Sequence, residues 1–183
     1  MTALTRTPTN TNLLQTTKYR MTFDRLPGAT YFCQAVNVPG VSLTEIPRPT
    51  PFIDLYHPGE KMLYDTLNMT FLIDEDMRAW TELHDWIRGM TFPTDFQEYV
   101  NLERQAMSPY IRGREKNKPQ YSSAILTLYT NKNNPSFRVK FVDLFPTSVS
   151  SVLFSAQDSA ENIAMADATF RFSYYEYERI KIV

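Results

Sequence analysis

The chain has 183 residues, 43% of them hydrophobic and 21% charged, which is typical of one globular domain and excludes wholesale disorder. A formal net charge of −1 removes the broad basic surface that nucleic-acid-binding proteins use to displace counterions. We therefore expect a soluble, folded chain that does not hold DNA by sustained binding.

Residues 1–17 are dominated by threonine and asparagine, with Leu4, Leu13 and Leu14 as the larger aliphatic side chains. Such a segment cannot form its own core, so we predict an N-terminal assembly arm followed by a single domain over residues 18–183. The segment is neither basic nor apolar enough for a signal peptide, and apolar runs elsewhere are short. We expect no membrane partner.

The first part of the domain predicts antiparallel strands. Tyr19, Met21 and Phe23 alternate with polar residues, which indicates a half-buried strand over residues 18–23. Turn residues at 26–28 precede a second predicted strand over residues 30–38, and a third covers residues 41–46.

Residues 47–61 contain four prolines, which cannot donate main-chain hydrogen bonds and are excluded from a central strand. Because residues 52–56 can still pair, we predict an extended hairpin that projects from the domain. Residues 66–73 then alternate again and predict a strand, with Leu67, Met69 and Phe71 on one face.

A helix is predicted from Glu75 to Arg88. Asp74 stands where a cap is expected, and apolar side chains recur at helical spacing through this range. We expect Trp80 and Ile87 to face inward and three charged side chains to face outward: Arg78, Glu82 and Asp85.

The last part is predicted to be a long loop over residues 91–120, basic between 104 and 118, followed by strands over 123–130, 137–144, 149–155 and 166–177. In the last strand, Phe170 and Phe172 suit a core, whereas Tyr175 and Tyr177 fall on the opposite face. They suit either a subunit interface or an ordinary sheet surface. The fold class is mainly β: an antiparallel β-barrel or sandwich with one flanking α-helix.

No pattern of catalytic, cofactor-binding or metal-ligating residues is present. His57 and His84 lack partners at metal-site spacing, and the single cysteine, Cys33, lies at an ordinary strand position. The acidic cluster at 74–76 is explained by the positive end of a helix. A hydrolase would need a carboxylate pair that the sequence does not offer. We expect no enzyme and no cofactor.

Several short segments, in their order, resemble the tail tube family of contractile-tailed bacteriophages, whose fold relatives include the type VI secretion tube protein. They are Val38-Pro39-Gly40 leading to Glu45-Ile46-Pro47, the strand 69–73 passing into a helix with Asp85-Trp86, the turn Leu144-Phe145-Pro146-Thr147, and the closing Tyr174-Tyr175-Glu176-Tyr177. The resemblance implies a structural subunit that forms hexameric rings, stacked into a tube around a channel for DNA.

This resemblance also implies the partners: further copies of the chain, the tail sheath, and the baseplate and terminator proteins, in a virion tail assembled in the host cytoplasm. We expect the outer helix residues to face the sheath and Tyr175 and Tyr177 to lie between subunits. Because excess positive charge in a channel would retain DNA, we expect the basic loop to face away from it. Contact with the next ring is assigned to seven hairpin residues: Pro47, Arg48, Phe52, Asp54, Tyr56, His57 and Glu60. The alternatives are a baseplate protein that initiates the tube and a small ligand-binding β-barrel.

Overall fold

The computed structural model describes residues 11–106, 119–155 and 163–180. Its elements in chain order are β1 (Tyr19–Phe23), α1 (Pro27–Tyr31), β2 (Cys33–Val36), β3 (Val41–Pro49), β4 (Asp54–Tyr64), β5 (Leu67–Leu72), α2 (Arg78–Thr91), α3 (Gln97–Ala106), β6 (Ser122–Tyr129), β7 (Pro135–Val149), β8 (Met165–Arg171) and β9 (Tyr174–Arg179). The prediction of a mainly antiparallel β fold is confirmed. The described strands form a sandwich rather than a closed barrel.

One bent sheet forms the body of the sandwich. Its strands lie in the order β1-β6-β7-β8-β5-β2, and β9 pairs with the first part of β7. The first part of β7 pairs with β6, whereas its last part, from Phe145 to Val149, pairs with β8. β7 therefore belongs to both layers. The layers meet face to face, as the rings of Phe23 and Phe170 show at 5.2 Å.

The core follows from strand periodicity, because alternate residues point to the same face. Met21, Phe23 and Phe141 are buried from one layer, and Met69 and Phe71 from the other. Each such side chain contributes about 1.5–3 kcal/mol on burial. The predicted inward face of the 66–73 strand is confirmed, since Leu67, Met69 and Phe71 are all buried.

Three strand predictions need correction. Residues 27–31 form α1, not the start of a strand, because Pro27 is tolerated in a first helical turn and the Thr30 amide donates to the Leu26 carbonyl at 3.0 Å. β7 runs through Pro146 to Val149, so the separate strand predicted over 149–155 is absent from the described residues of that range. The predicted strand 166–177 is two strands, divided where the Ser173 amide donates to Val142.

Helix α2 begins and ends three residues later than predicted, at Arg78 and Thr91. The N-cap residue is Met77 and not Asp74, but the Asp74 carboxylate still accepts a hydrogen bond from the Ala79 amide in the first turn at 3.2 Å. The predicted inward face needs rotation: Ala79, Leu83 and Trp86 are buried. Trp80 packs against the core but is half-buried, and Ile87 is also half-buried.

Part of the segment predicted as a loop over 91–120 is the helix α3. It packs closely on α2, where a Cβ at Gly89 would lie 3.1 Å from the Leu102 Cβ. Within the same segment, residues 107–118, with most of the predicted basic stretch, lie outside the described residues. The predicted arm is described only from residue 11, and its residues 11–17 are exposed.

A half-buried arginine, Arg25, contacts the chain on both sides of the undescribed residues 107–118. Arg25 donates to the Leu102 carbonyl at 3.0 Å and to the Pro119 carbonyl at 2.5 Å, and its guanidinium stacks over Trp86 at 5.1 Å. The Trp86 indole donates to the Gln120 carbonyl at 3.0 Å. Burial lowers the pKa of Arg25 to about 10, so the group stays protonated at neutral pH.

Candidate assembly surfaces

The hairpin of β3 and β4 stands apart from the sandwich. The two strands pair with each other in a separate two-stranded sheet and contact the body mainly at their base, where Tyr64 lies against Phe172 and Tyr175. The ladder is bulged opposite Thr44, whose hydroxyl bonds both the amide and the carbonyl of Lys61 at 3.3 Å. The structure thus contains the projecting hairpin that the prolines predicted.

Its surface is unusually apolar for a two-stranded ribbon in water. Ile46 is 57% exposed, Tyr56 62% and Met62 58%. Further exposed apolar side chains are Val41, Leu43, Leu55 and Leu63. These side chains lie on both faces of the ribbon, since Leu43 pairs with Met62 and the neighbouring Leu63 pairs with Ser42. Because a concentration of exposed apolar side chains marks an interaction site, the hairpin is the first candidate assembly surface.

The seven residues predicted for contact with the next ring all lie on this hairpin and are exposed. Cross-strand pairing brings two of them directly opposite each other, Pro47 and Tyr56. Their contact with an adjacent ring stays a prediction. The exposed apolar residues nearer the base were not predictable as a contact surface, because the alternation from Val41 is also typical of an ordinary strand of the body.

The outer face of α2 is the second surface. Arg78 and Asp85 are exposed, as predicted. Glu82 is only half-buried and is engaged within the chain, since its carboxylate accepts from the Gly28 amide at 3.1 Å at the start of α1. Burial is the main cause that raises the pKa of Glu82. Glu82 therefore stabilises the α1–α2 contact, and the contact of this face with a sheath stays a prediction.

The two tyrosines predicted for a subunit interface lie in different environments. Tyr175 packs inside an aromatic cluster, 5.9 Å from Phe141 and 6.0 Å from Phe172. The prediction that Tyr175 and Phe172 lie on opposite faces of one strand was wrong, because the chain changes partner strands at residue 173. Tyr177 is 70% exposed and stacks on Phe137 at 5.8 Å, so it remains available for a neighbouring subunit.

An open groove of about 810 Å³ was not predicted from the sequence. It lies between β1 and β2, the two ends of the strand order, and the Tyr19 hydroxyl donates across it to the Gln34 carbonyl. Burial raises the pKa of the Cys33 thiol and is the main cause raising that of Tyr19, so both groups in the groove are neutral at neutral pH. The groove could not be predicted from the sequence, because no local pattern indicates that strands at the two ends of the strand order lie side by side.

Within the described ranges, no group of histidine, cysteine and acidic side chains is placed to hold a metal ion. His84 instead stacks on Trp80 at 5.2 Å. Over the same residues, none of the helices combines the length and apolar character that crossing a membrane requires.

A family model described as phage tail tube protein matches residues 7–178 of the chain. The chain belongs to the phage tail tube protein family. The role of this tail tube protein is structural, as a component of a phage tail, and not enzymatic. This agrees with the resemblance on which the sequence analysis relied.

Individual relatives of this tail tube protein are distant. It is 24% identical over 152 residues to the tail tube terminator protein of Enterobacteria phage T4, covering 80% of this chain and 76% of that protein. Two solved structures have the same fold: the tube terminating cap of the anti-feeding prophage, and a chain from the sheath/tube terminator structure of the PVC extracellular contractile injection system. The first has a TM-score of 0.56 at 13% identity and covers 98% of this chain and 100% of the other. The second has a TM-score of 0.54 at 12% identity and covers 91% and 96%.

Proposed function

We propose that this tail tube protein closes into a hexameric ring coaxial with the tail tube, and that genomic DNA passes through the ring without specific binding. The hairpin is the observation that carries the proposal. A two-stranded ribbon with apolar side chains in water is marginal by itself, whereas burial against another subunit gains about 25 cal/mol per Å² of apolar surface. An identical copy supplies that partner in a closed assembly.

The ring is proposed to sit at an end of the tube. The T4 relative is named as a tube terminator, and the two solved structures are described as a tube terminating cap and a sheath/tube terminator. These names favour an end position over the repeated tube subunit expected from the sequence. The alternative of a baseplate initiator places the same ring at the opposite end.

The remaining surfaces fit this arrangement. The exposed side of α2, with Arg78 and Asp85, is proposed to face the sheath, and Tyr177 to lie between subunits. The faces of the hairpin are proposed to contact the adjacent ring of the tube. The basic stretch 104–118 is proposed to face away from the channel, because excess positive charge there would retain DNA.

Electron microscopy of the purified protein tests the ring directly. We expect closed rings or stacks of very few rings, and a mass corresponding to the hexamer by light scattering. A protein that stays monomeric at all accessible concentrations would refute the ring.

Mixing the rings with preformed tail tubes tests the end position. A terminator caps one end and stops further growth, so labelled protein should appear only at tube ends. Long tubes formed by this chain alone would instead identify it as the repeated tube subunit.

A further inference from the structure

The tip of the hairpin, residues 50–53, is a turn held by hydrogen bonds that exposes an apolar side chain. The Thr50 amide donates to the Ile53 carbonyl at 3.1 Å, and the Ile53 amide donates back to the Thr50 hydroxyl at 3.2 Å. That hydroxyl also donates to the Ile53 carbonyl. The turn thus holds Phe52 outward, with 94% of its surface exposed. A large aromatic ring on a preorganised turn is well suited to anchor an interface, because little conformational entropy is lost when it is buried.

The groove between β1 and β2 has the matching chemistry. Met21 and Phe23 close the bottom of the groove with only 1% and 5% of their surfaces exposed, so its accessible apolar surface includes the ring of Tyr31, 83% exposed, and the exposed Pro27. Among the described residues that line the groove, Arg20 is the only charged one. The groove therefore favours an apolar insert with a negative charge next to it.

The wall formed by β1 also has unused hydrogen-bonding groups. The Lys18 carbonyl accepts from the Tyr129 amide and the Asp24 amide donates to the Ser123 carbonyl, and both partners belong to β6. The alternating residues Tyr19 and Met21 therefore point their main-chain groups away from β6, toward the groove. No described strand pairs with this edge. A free edge of this kind accepts an extended segment from another chain.

We propose that the hairpin tip of one copy inserts Phe52 into the β1–β2 groove of the next copy in the ring. The proposal rests on the ring-forming function proposed above and names its lateral contact. It moves Phe52 and Asp54 from the predicted inter-ring contact to the contact within one ring, and leaves the faces of the hairpin to the adjacent ring. Asp54, two residues beyond Phe52, then lies near Arg20 at the groove, which gives the contact charge complementarity.

A copy cannot fill its own groove with its own tip. β3 has 9 residues, which at about 3.3 Å each carry the tip about 30 Å from the hairpin base. That base follows β2 by only a few residues and thus starts beside the groove. Tip and groove are different surfaces, so each copy gives one contact and receives one, and head-to-tail contacts of this kind close a ring.

The first test replaces the anchor. Phe52→Ala should raise the protein concentration needed for half-assembly at least about tenfold, as expected for an interface hot spot. Phe154→Ala is the matched control, because Phe154 is 72% exposed and lies on neither the tip nor the groove. Sedimentation velocity over a dilution series measures both. The melting temperature of the dilute monomer should stay unchanged in the two variants.

The second test uses the native Cys33, which lines the groove. Ile53→Cys keeps Phe52 and adds a thiol at the tip, and a short bismaleimide at mildly alkaline pH should link the tip of one copy to Cys33 of the next. Denaturing gels should show a ladder that extends past the dimer and stops at the number of copies in the ring. The same variant carrying Cys33→Ser should give dimers at most.

The third test exchanges charges. Asp54→Arg alone should weaken assembly, and the double variant with Arg20→Asp should restore it. Rings that form normally in Phe52→Ala, without a ladder and without charge rescue, overturn the tip-and-groove contact while leaving the ring function standing. A wild-type chain that never assembles refutes the ring function itself, and the contact with it.

Discussion

Replacing Trp86 by alanine tests the seating of α2 on the sandwich. Trp86 is only 2% exposed, and truncating a buried tryptophan typically costs about 3–5 kcal/mol. Its indole also donates to the Gln120 carbonyl at 3.0 Å and carries the Arg25 guanidinium at 5.1 Å. Losing both contacts places the expected loss in the upper half of that range, about 4–5 kcal/mol.

Trp80→Ala is the internal comparison, because the chain has only 2 tryptophans. Trp80 is half-buried, stacks on His84, and donates to the Ser150 carbonyl at a longer 3.3 Å. Since less surface is lost from the interior, we expect a cost of about 1–2 kcal/mol.

Urea unfolding followed by far-UV circular dichroism measures both variants at one low protein concentration, so that assembly does not add to stability. Trp86→Phe serves as a milder variant in case the alanine variant does not fold, and it should lose less stability. A larger loss for Trp80→Ala than for Trp86→Ala would refute the helix orientation described above and restore the one predicted from the sequence.

Three further outcomes are expected. Burial raises the pKa of Glu82 above its ordinary 4.5, so the folded chain holds that proton to a higher pH than the unfolded chain and loses stability as pH rises through this range. Between about pH 4 and about pH 7, the melting temperature should therefore fall less steeply with pH in Glu82→Gln than in the wild type. The same pH dependence in both proteins would contradict this. Arg25→Met leaves two main-chain carbonyls without their donor, at about 1–3 kcal/mol each, and should speed tryptic cleavage between residues 103 and 118, whereas the exposed Arg138→Met should not. Gly59→Ala places a Cβ within 2.5 Å of the Thr44 carbonyl oxygen, so it should disturb the hairpin and impair ring formation, seen by light scattering, with little change in the melting temperature of the sandwich.

The strands were predictable where one face is buried and the other is exposed to solvent. In β5, the alternation of Leu67, Met69 and Phe71 with polar residues reflects the sheet directly, and all three are in the core. The hairpin was predictable because proline excludes the alternatives. Its apolar side chains toward the base were not, since exposure depends on the strands that are missing beside it.

The orientation of α2 was not predictable by weighing side-chain size. Trp80 and Ile87 follow helical spacing, but so do Ala79, Leu83 and Trp86, and the second set faces the core. The small Ala79 allows a close approach that a size-based argument overlooks. α3 was missed because its 10 residues are mostly polar, and its position depends on contacts with α2 that only the fold brings together.

The division of the predicted strand 166–177 into β8 and β9 was not predictable for a related reason. The alternation that predicted one strand continues across residues 172–174, although the chain leaves β8 and begins β9 there. A main-chain bond from Ser173 to Val142 marks the change of layer. Local pattern records which residues are apolar, but not which strand they pair with.

β7 has a mechanical consequence for a tail component. Its 15 residues run from one layer into the other, turning where Asp143 adopts a φ of 54°. A force applied to either layer is therefore transmitted to the other along the covalent backbone, and not only through the hydrogen bonds and side-chain contacts between strands. The two layers cannot slide past each other without stretching that strand, so under axial load the subunit should deform as one stiff spring and not as two plates in shear.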